Sequence, residues 1–209
     1  MQTIPHIRTF AGRHGRLSLT QKQAKEQLLF KYEMPEGKWN FTELFAGKPV
    51  VIEIGSGDGV AALAWAKEFP ETMIIAIDVH VPGIAQLIHE AEKNNLKNLR
   101  VVIGDAISVL KERVVNNSLI GIHIFFPDPW PKKRHHKRRL LNKTNLALLK
   151  TKLKDESKIL IATDWAEYAK AIQEELGARP QPRPKWRPVS KFEKKAKIAG
   201  REVFELIID

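Results

Sequence analysis

A short apolar run followed by closely spaced glycines occupies residues 50–59, which read VVIEIGSGDG. Five consecutive residues rich in valine and isoleucine are typical of a strand that is buried on both faces. Gly55, Gly57 and Gly59 allow the backbone to turn tightly and to approach a ligand closely. The stretch therefore predicts the strand–turn–helix unit that opens an α/β domain, with a ligand-binding turn at the carboxyl end of the strand.

Apolar runs and helical periodicities alternate along the rest of the chain. Further strands are expected at residues 73–78, 99–103, 119–126, 158–163 and 202–208. Helices are expected from Ser18 or Thr20 to Tyr32 and at residues 59–69, 81–95, 137–153 and 165–176. This alternation predicts an α/β fold with a mostly parallel sheet flanked by helices. Residues 179–186 contain three prolines, which exclude a central strand there.

The composition limits the possible chemistry. The chain has 209 residues, of which 43% are hydrophobic, and it lacks cysteine. The length suits one domain with an extension, and disulfides, thiolate nucleophiles and cysteine-based zinc sites are excluded. We expect no metal, because His135 and His136 lack partner ligands at a suitable spacing. The sequence has no apolar run of the roughly 18–20 residues that a membrane span needs, and the N-terminus lacks the apolar core of a signal peptide. A cytoplasmic protein is expected.

Basic residues are concentrated in three segments. Residues 1–25 carry five Lys or Arg and no acid, residues 132–143 carry seven and no acid, and residues 183–201 carry eight against Glu193. The net charge of the whole chain is only +11, so the remainder is acidic. Basic clusters of this kind in a chain that is otherwise acidic indicate a phosphate-binding surface. The alternative is that they are three solvated loops that serve solubility.

Three acids follow or end the first three strands. Glu53 precedes the glycine turn, Asp78 ends the second strand, and Asp105 follows the third. A dinucleotide site would favour glycine at position 60, where this chain has Val60, and Glu53 would repel a pyrophosphate. The amino group, sulfonium and ribose diol of S-adenosylmethionine suit these acids better. The alternative is a glycine turn with helix caps. The pattern resembles the class I S-adenosylmethionine-dependent methyltransferases.

The fourth strand leads into FPDPWPKKRHHKRR at residues 126–139. Two prolines fix the backbone beside Asp128, so this acid is a candidate for catalysis at the carboxyl end of a strand, next to a basic surface. It could instead cap the following helix. Trp130 could stack on a base or pack in the core. The basic residues of the run are expected to contact phosphates.

This run, together with residues 7–10, 15–17, 78–83 and 187–193, resembles the bacterial tRNA (guanine-N7-)-methyltransferases over nearly the whole chain. The resemblance implies a Rossmann-like class I methyltransferase with a central seven-stranded sheet, a basic arm and first helix at residues 1–30, and a single domain at residues 31–209. It implies methylation of a variable-loop guanine of tRNA at position 46, with S-adenosylhomocysteine as the other product. Residues 190 and 78 depart mildly from the family, which usually has Thr and commonly Glu there.

The resemblance also implies roles for individual residues. Asp128 would be the active-site acid. The residues expected at the cofactor are Glu53, Gly55, Gly57, Asp78 and Asp105. The residues expected at the substrate are Lys132, Asp164, Ser190, Lys191, Phe192 and Glu193. Two other readings stay open: Asp164 as a cap of the following helix, and Lys191 with Glu193 as a surface pair.

Three rival functions remain. A class I methyltransferase could act on a small molecule or a protein, an RNA-binding protein could have kept the fold without catalysis, and a nicotinamide dehydrogenase is disfavoured by Glu53 and Val60. The sequence leaves the oligomeric state open between monomer and homodimer.

Overall fold

A computed structural model of the chain describes residues 9–10 and 15–209. The seven strands in these residues are β1 (Val50–Ile54), β2 (Met73–Asp78), β3 (Leu99–Ile103), β4 (Leu119–Phe125), β5 (Leu153–Thr163), β6 (Arg179–Pro180) and β7 (Phe204–Ile208). The α-helices in these residues are α1 (Leu19–Tyr32), α2 (Phe41–Phe45), α3 (Val60–Glu68), α4 (Val81–Lys93), α5 (Ala106–Glu112), α6 (Lys143–Lys152), α7 (Ala166–Leu176) and α8 (Lys191–Ile198).

The strands form one sheet in the order β3-β2-β1-β4-β5-β7-β6. The first five strands are parallel, and β7 runs antiparallel to both β5 and β6. All five residues of β1 are buried, as expected for a strand covered on both faces. Pro180 lies in the edge strand β6, where a missing N–H can be tolerated. The predicted mostly parallel, seven-stranded sheet is confirmed.

Two apolar layers cover the faces of the sheet. Ala24 and Tyr32 of α1 pack with residues of α3 and α4 on one face. Leu110 of α5, Leu149 of α6 and Ile172 of α7 pack on the other. Helix α1 begins with a capping box in which the Ser18 hydroxyl accepts from the backbone N–H of the third helical residue. The basic opening segment falls largely on residues 1–8 and 11–14, which lie outside the described residues.

The segment after the fourth strand differs from the prediction. Residues 133–138 form a 3-10 helix, and α6 begins only at Lys143. Asn142 caps α6, because its side-chain oxygen accepts from the N–H of Asn145 at 2.9 Å. The predicted helix over residues 137–153 was therefore wrong in its first six residues. Strand β5 starts five residues earlier than predicted, with a shift in its register to β4 between Leu119 and Gly121.

Three short helices were not predicted from the sequence. Helices α2, α5 and α8 have five, seven and eight residues. Segments of this length show too few turns for a 3.6-residue period to stand out. Helix α8 did carry a local signal, the Ser-x-x-Glu pattern at residues 190–193 that is typical of a helix start.

Candidate active site

A cavity of about 600 Å³ lies at the carboxyl ends of β1 to β4. Its volume is within the range of ordinary ligand pockets, and its place agrees with the rule for open α/β sheets. The predicted site residues that line it are Gly55, Gly57, Asp78, Asp105, Asp128, Lys191 and Phe192. Glu53 is not one of the lining residues; it directly precedes the lining residues Ile54 and Gly55 in the chain.

Asp78 holds the glycine turn in place. One of its carboxylate oxygens accepts from the backbone N–H of Gly57 at 2.6 Å, and the other accepts from the N–H of His80 at 2.7 Å. The backbone of Gly83, in the first turn of α4, lies against the same turn. A Cβ at Gly83 would fall 2.2 Å from the carbonyl oxygen of Gly57. Asp78 and Gly83 thus fix one wall of the cavity through backbone atoms.

Glu53 is a buried carboxyl that keeps one oxygen unused. The residue is 2% exposed, and its Oε2 has no hydrogen-bond partner among the described residues. Burial, and to a smaller extent the charge of Asp78, raise the pKa of Glu53 to about 8. A buried acceptor of this kind is suited to a cationic or hydroxyl-bearing ligand group.

Asp105 combines the two roles that the sequence left open. It is the N-cap of α5, where its Oδ1 accepts from the N–H of Ser108 at 2.9 Å, and it also lines the cavity. The helix-cap interpretation therefore holds for this acid without excluding a ligand contact.

These residues fit S-adenosylmethionine. An added Cβ at Gly55 or Gly57 would meet no heavy atom within 4 Å, so the turn leaves open space beside the backbone. The carboxyl groups of Asp78 and Asp105 line the cavity, and the buried Glu53 lies in the strand that leads into the turn. Such groups can accept from an amino group, a ribose diol and an adenine amino group.

Backbone strain surrounds the candidate catalytic acid. Phe126 has a φ of 54° and Trp130 a φ of 45°, in the left-handed region that bulky residues avoid. Such residues cost about 1–3 kcal/mol each and concentrate at functional sites. The strained pair encloses Asp128, which is half-buried and lines the cavity.

Arg139 was expected to contact phosphates, but its side chain is buried. It is 5% exposed, and its Nε donates to the carbonyl oxygen of Pro129 at 2.9 Å. Its Nη2 pairs with Glu167 at 3.1 Å, and the guanidinium lies over the ring of Tyr168. Phosphate binding by this residue is therefore excluded in the described structure. Arg139 instead holds the residue next to Asp128 against α7.

Trp130 is half-buried and does not belong to either core cluster of the described residues. Its Nε1 donates to the carbonyl oxygen of Thr9 at 3.1 Å, and Arg138 lies 5.0 Å from its ring centroid. Thr9 and Phe10 both line the cavity. The described part of the N-terminal segment therefore contacts the side of the cavity that contains Asp128 and Trp130.

The start of α8 forms the opposite wall. Phe192 stacks on Phe126, with ring centroids 5.8 Å apart and planes at 15°. The Lys191 ammonium pairs with Asp58 of the glycine turn at 2.8 Å. Ser190 and Glu193 close a capping box around this helix start. The suggested surface pair between Lys191 and Glu193 is wrong, because Glu193 is buried and pairs with Arg187.

Two other predicted substrate residues lie away from the cavity lining. Lys132 is exposed at the start of the 3-10 helix. Asp164 binds the guanidinium of Arg201, with Nε–Oδ2 and Nη2–Oδ2 distances of 2.9 and 2.8 Å. No side-chain cap is formed at the start of α7. Asp164 therefore connects the end of β5 to the segment after α8.

Sequence reasoning missed several residues that shape this site, above all Arg187 and Glu205. Arg187 follows the proline-rich segment and is almost fully buried between Glu193 and Glu205. An acid inside the apolar run of β7 was the available signal, since a buried charge needs a partner. The partner itself could not be found without the order of the strands.

Solved structures agree with this architecture. A structure titled "Structure of an Antibiotic Related Methyltransferase" superposes with a TM-score of 0.52 at 21% identity, covering 83% of this chain and 96% of that chain. A 16S rRNA (adenine(1408)-N(1))-methyltransferase variant from Catenulisporales acidiphilia gives a TM-score of 0.53 at 16% identity, covering 77% of this chain and 84% of that chain. At these identities the likeness concerns the fold. Fold and cavity together are those of the class I methyltransferase fold.

Sequence relatives narrow the class to a family. Residues 47–206 match the family described as "Putative methyltransferase". The chain is 41% identical over 217 residues to the tRNA (guanine-N(7)-)-methyltransferase of Nitrosospira multiformis, covering 97% of this chain and 95% of the relative. It is 40% identical to the protein of the same name from Nitrosomonas eutropha, with coverages of 99% and 98%. The chain belongs to the family of bacterial tRNA (guanine-N(7)-)-methyltransferases.

Within the part of the chain that the structure describes, no helix is both long and apolar enough to cross a membrane. The same residues contain no group of three or more His, Cys, Asp or Glu side chains arranged to hold a metal ion.

Proposed function

We propose that this protein transfers a methyl group from S-adenosylmethionine to N7 of a guanine in the variable loop of tRNA, at position 46 in tRNA numbering. The observation that carries the proposal is the setting of Asp128. This carboxyl lines the cavity between two strained residues, and the segment that follows it is an exposed basic 3-10 helix. A nucleobase bound beside Asp128 would therefore have its phosphates near that helix.

The chemistry requires little of the protein beyond placement and charge. S-adenosylmethionine held by Glu53, Asp78 and Asp105 would supply a methyl group on a sulfonium sulfur, and the methyl group would pass to the lone pair of guanine N7. Guanine N7 carries no proton, so Asp128 need not act as a base before the attack. Asp128 accepts from the N1–H and amino group of guanine, and this contact strengthens as the purine gains positive charge.

Five residues hold the cofactor in this proposal. Glu53 and Asp78 accept from its amino group and ribose hydroxyls, and Asp105 accepts from its adenine amino group. Gly55 and Gly57 keep side chains out of the space it occupies, as the empty surroundings of both α-carbons support. The same residues would hold the product S-adenosylhomocysteine.

The substrate residues act in two ways. Lys191 and Phe192 line the cavity and contact the target nucleoside directly. Ser190 and Glu193 shape the start of α8, because the capping box occupies the Ser190 hydroxyl and one Glu193 oxygen. Lys132 binds a phosphate at the rim. Asp164 acts near the substrate through Arg201, which can contact the RNA at the edge of the site.

The exposed basic residues form the tRNA-binding surface. Those of the 3-10 helix region are Lys132, Lys133, Arg134, Lys137 and Arg138, and those of α8 are Lys194, Lys195 and Lys197. Phosphate contacts from these side chains set the register of the RNA without reading its sequence. The basic residues of the segment 1–30 would extend this surface, next to the domain at residues 31–209. A cytoplasmic location follows from the proposed substrate.

The test is methyl transfer from labelled S-adenosylmethionine to an unmodified tRNA, with the modified base mapped by chain cleavage specific for N7-methylguanine. We expect label at one variable-loop guanine. The matched variant is Asp128→Asn, which keeps the size of the side chain and removes the charge. Its kcat should fall by about 10²–10³-fold, the range seen when one transition-state contact is removed, while S-adenosylhomocysteine still binds.

The outcomes separate the parts of the proposal. Label on a different atom or position would keep the methyltransferase and reject the target base. No label on any RNA, with cofactor bound, would redirect attention to other substrates. Unchanged turnover in Asp128→Asn would reject the role given to this carboxylate.

A further inference from the structure

Arg187 is among the largest fully buried side chains of the described residues, although it carries a charge. Its Nη1 donates to one Glu193 oxygen at 2.8 Å, and its Nη2 donates to the other at 3.3 Å. Nη2 also pairs with Glu205 of β7. A planar guanidinium is suited to such a fork of contacts, whereas a lysine ammonium is a single point charge.

The same guanidinium reaches the segment that carries Asp128. Its carbon lies 5.2 Å from the ring centroid of Phe125 and 5.8 Å from that of Phe126. Phe125 ends β4, and Phe126 is the strained residue that opens the Asp128 segment. Arg187 therefore contacts the strand end from which the candidate catalytic acid projects.

Arg187 also fixes the start of α8. Glu193, which it binds, accepts from the backbone N–H of Ser190 at 3.0 Å and so completes the capping box. Lys191 and Phe192, which lie between Ser190 and Glu193, line the cavity. One cation thus connects α8, β7 and the end of β4, and two of these elements form the substrate side of the site.

We propose that Arg187 is a positioning residue for methyl transfer, which holds the start of α8 and the Asp128 segment at the separation that the bound nucleoside requires. This inference rests on the proposed function for its kinetic consequence. Its structural consequence, the docking of α8, is independent of the substrate. A displacement of about 1 Å at reacting groups can lower a rate about a hundredfold, so a residue that never touches substrate can control kcat.

The neighbouring residue makes a folded variant feasible. Trp186 stacks on His123 at 5.1 Å and packs edge-on against Trp65 at 4.9 Å. This anchor remains when Arg187 is replaced. Arg187→Met keeps a long apolar side chain but leaves two acids without their cation, which is costly in a buried setting. Arg187→Met combined with Glu205→Gln removes that imbalance, because Glu193 keeps Arg183 at 3.3 Å.

The experiment compares the full-length wild type with Arg187→Met, Arg187→Lys and the double variant. Hydrogen exchange reports the protection of α8, calorimetry reports the affinity for S-adenosylhomocysteine, and methylation of a tRNA transcript reports kcat and KM. The matched control is Arg179→Met, which breaks the exposed pair between Arg179 and Asp209 at the neighbouring sheet edge.

We expect α8 to lose protection in Arg187→Met and in the double variant, while β1 to β5 keep theirs. Cofactor affinity should change less than about threefold, whereas kcat should fall about a hundredfold. The double variant should regain stability but not kcat, and Arg187→Lys should recover part of the rate. Arg179→Met should match the wild type in every readout.

Unchanged α8 protection and kcat in the Met variants would overturn the inference, as would a loss of cofactor affinity in proportion to the loss of kcat. Absence of tRNA methylation by the wild type would instead reject the proposed function. In that case hydrogen exchange still decides whether Arg187 docks α8.

Discussion

The two halves of the cavity are held together by different forces. The cofactor half comprises the carboxyl ends of β1 to β3 with Glu53, Asp78 and Asp105, and its shape depends on backbone contacts such as the 2.6 Å bond from Gly57 to Asp78. The substrate half comprises residues 126–131 and the start of α8. It depends on two buried arginines, Arg139 and Arg187, which bind carboxylates and a carbonyl. A parallel sheet by itself forms the first half, whereas the second needs ionic contacts between distant segments.

The halves also differ in charge. The cofactor half contains the buried Glu53 and the half-buried Asp78 and Asp105, and exposed cations surround the substrate half. Screening by salt acts on exposed charges and much less on buried ones. The two ligands should therefore respond differently to ionic strength, and this difference can be measured.

The largest expected effect concerns tRNA affinity. Raising salt from about 50 to about 200 mM should weaken tRNA binding by about a thousandfold if about six phosphates are contacted. The reason is that the release of counterions from the RNA on binding becomes less favourable as the salt concentration rises. Binding of S-adenosylhomocysteine should change less than about threefold over the same range. Filter binding and calorimetry measure the two affinities.

The control is a variant that replaces Lys133 and Lys137 with glutamine. The slope of log affinity for tRNA against log salt concentration should decrease by the amount that corresponds to about two phosphate contacts. Cofactor binding should not respond to this change. Affinity for tRNA that is flat with salt would contradict the ionic description of the substrate half.

A smaller effect tests the backbone contacts of the cofactor half. Gly83→Ala places a methyl group 2.2 Å from the carbonyl oxygen of Gly57, so α4 and the glycine turn must separate. Overpacking of this kind costs about 1–3 kcal/mol, and cofactor affinity should fall by about ten- to a hundredfold, at 1.4 kcal/mol for each factor of ten. Urea unfolding and calorimetry measure the two quantities.

Gly121→Ala is the matched control, because a Cβ there would meet its nearest atoms at 3.5 and 3.6 Å, which are ordinary contacts. Its stability and cofactor affinity should stay close to those of the wild type. A Gly83→Ala protein that binds cofactor normally would show that the turn adapts and that the cofactor half is less rigid than its contacts indicate.

The same contrast explains what the sequence could predict. The positions of Glu53, Asp78 and Asp105 could be predicted because each is close to the end of its own strand, and parallel strands bring their carboxyl ends together. The contact between Arg187 and Glu205 could not be predicted, because it depends on the pairing of β7 with β5 and β6. The burial of Arg139 was missed because a run of basic residues carries no signal for the one that turns inward. Contacts of the substrate half follow from tertiary pairing rather than from local spacing.

A last contrast concerns the charge of Glu53. Its pKa in the folded protein is raised to about 8 by burial and by Asp78, well above the value of about 4.3 in an unfolded chain. Between these values the folded state holds a proton that the unfolded state has lost, so the free energy of unfolding must fall as pH rises. Glu53→Gln removes this titration. We expect the stability of the wild type relative to the variant to decline from pH 5 to pH 8.

The affinity for S-adenosylhomocysteine should also depend on the ionisation of Glu53, but it should rise with pH where the stability falls. The ammonium group of S-adenosylhomocysteine favours the ionised carboxylate, so wild-type affinity should rise by about tenfold between pH 6 and pH 8, a change of about 1.4 kcal/mol. In Glu53→Gln the rise in affinity with pH should vanish. The control is Glu68→Gln, which replaces an exposed glutamate of α3 and in which the rise should persist. Calorimetry in buffers of different ionisation enthalpy also counts the proton that the wild type releases on binding. A wild-type affinity that does not change with pH, with no proton released, would mean that ligand binding leaves the charge of Glu53 unchanged, and it would reject the proposed contact between an ionised Glu53 and the ligand ammonium.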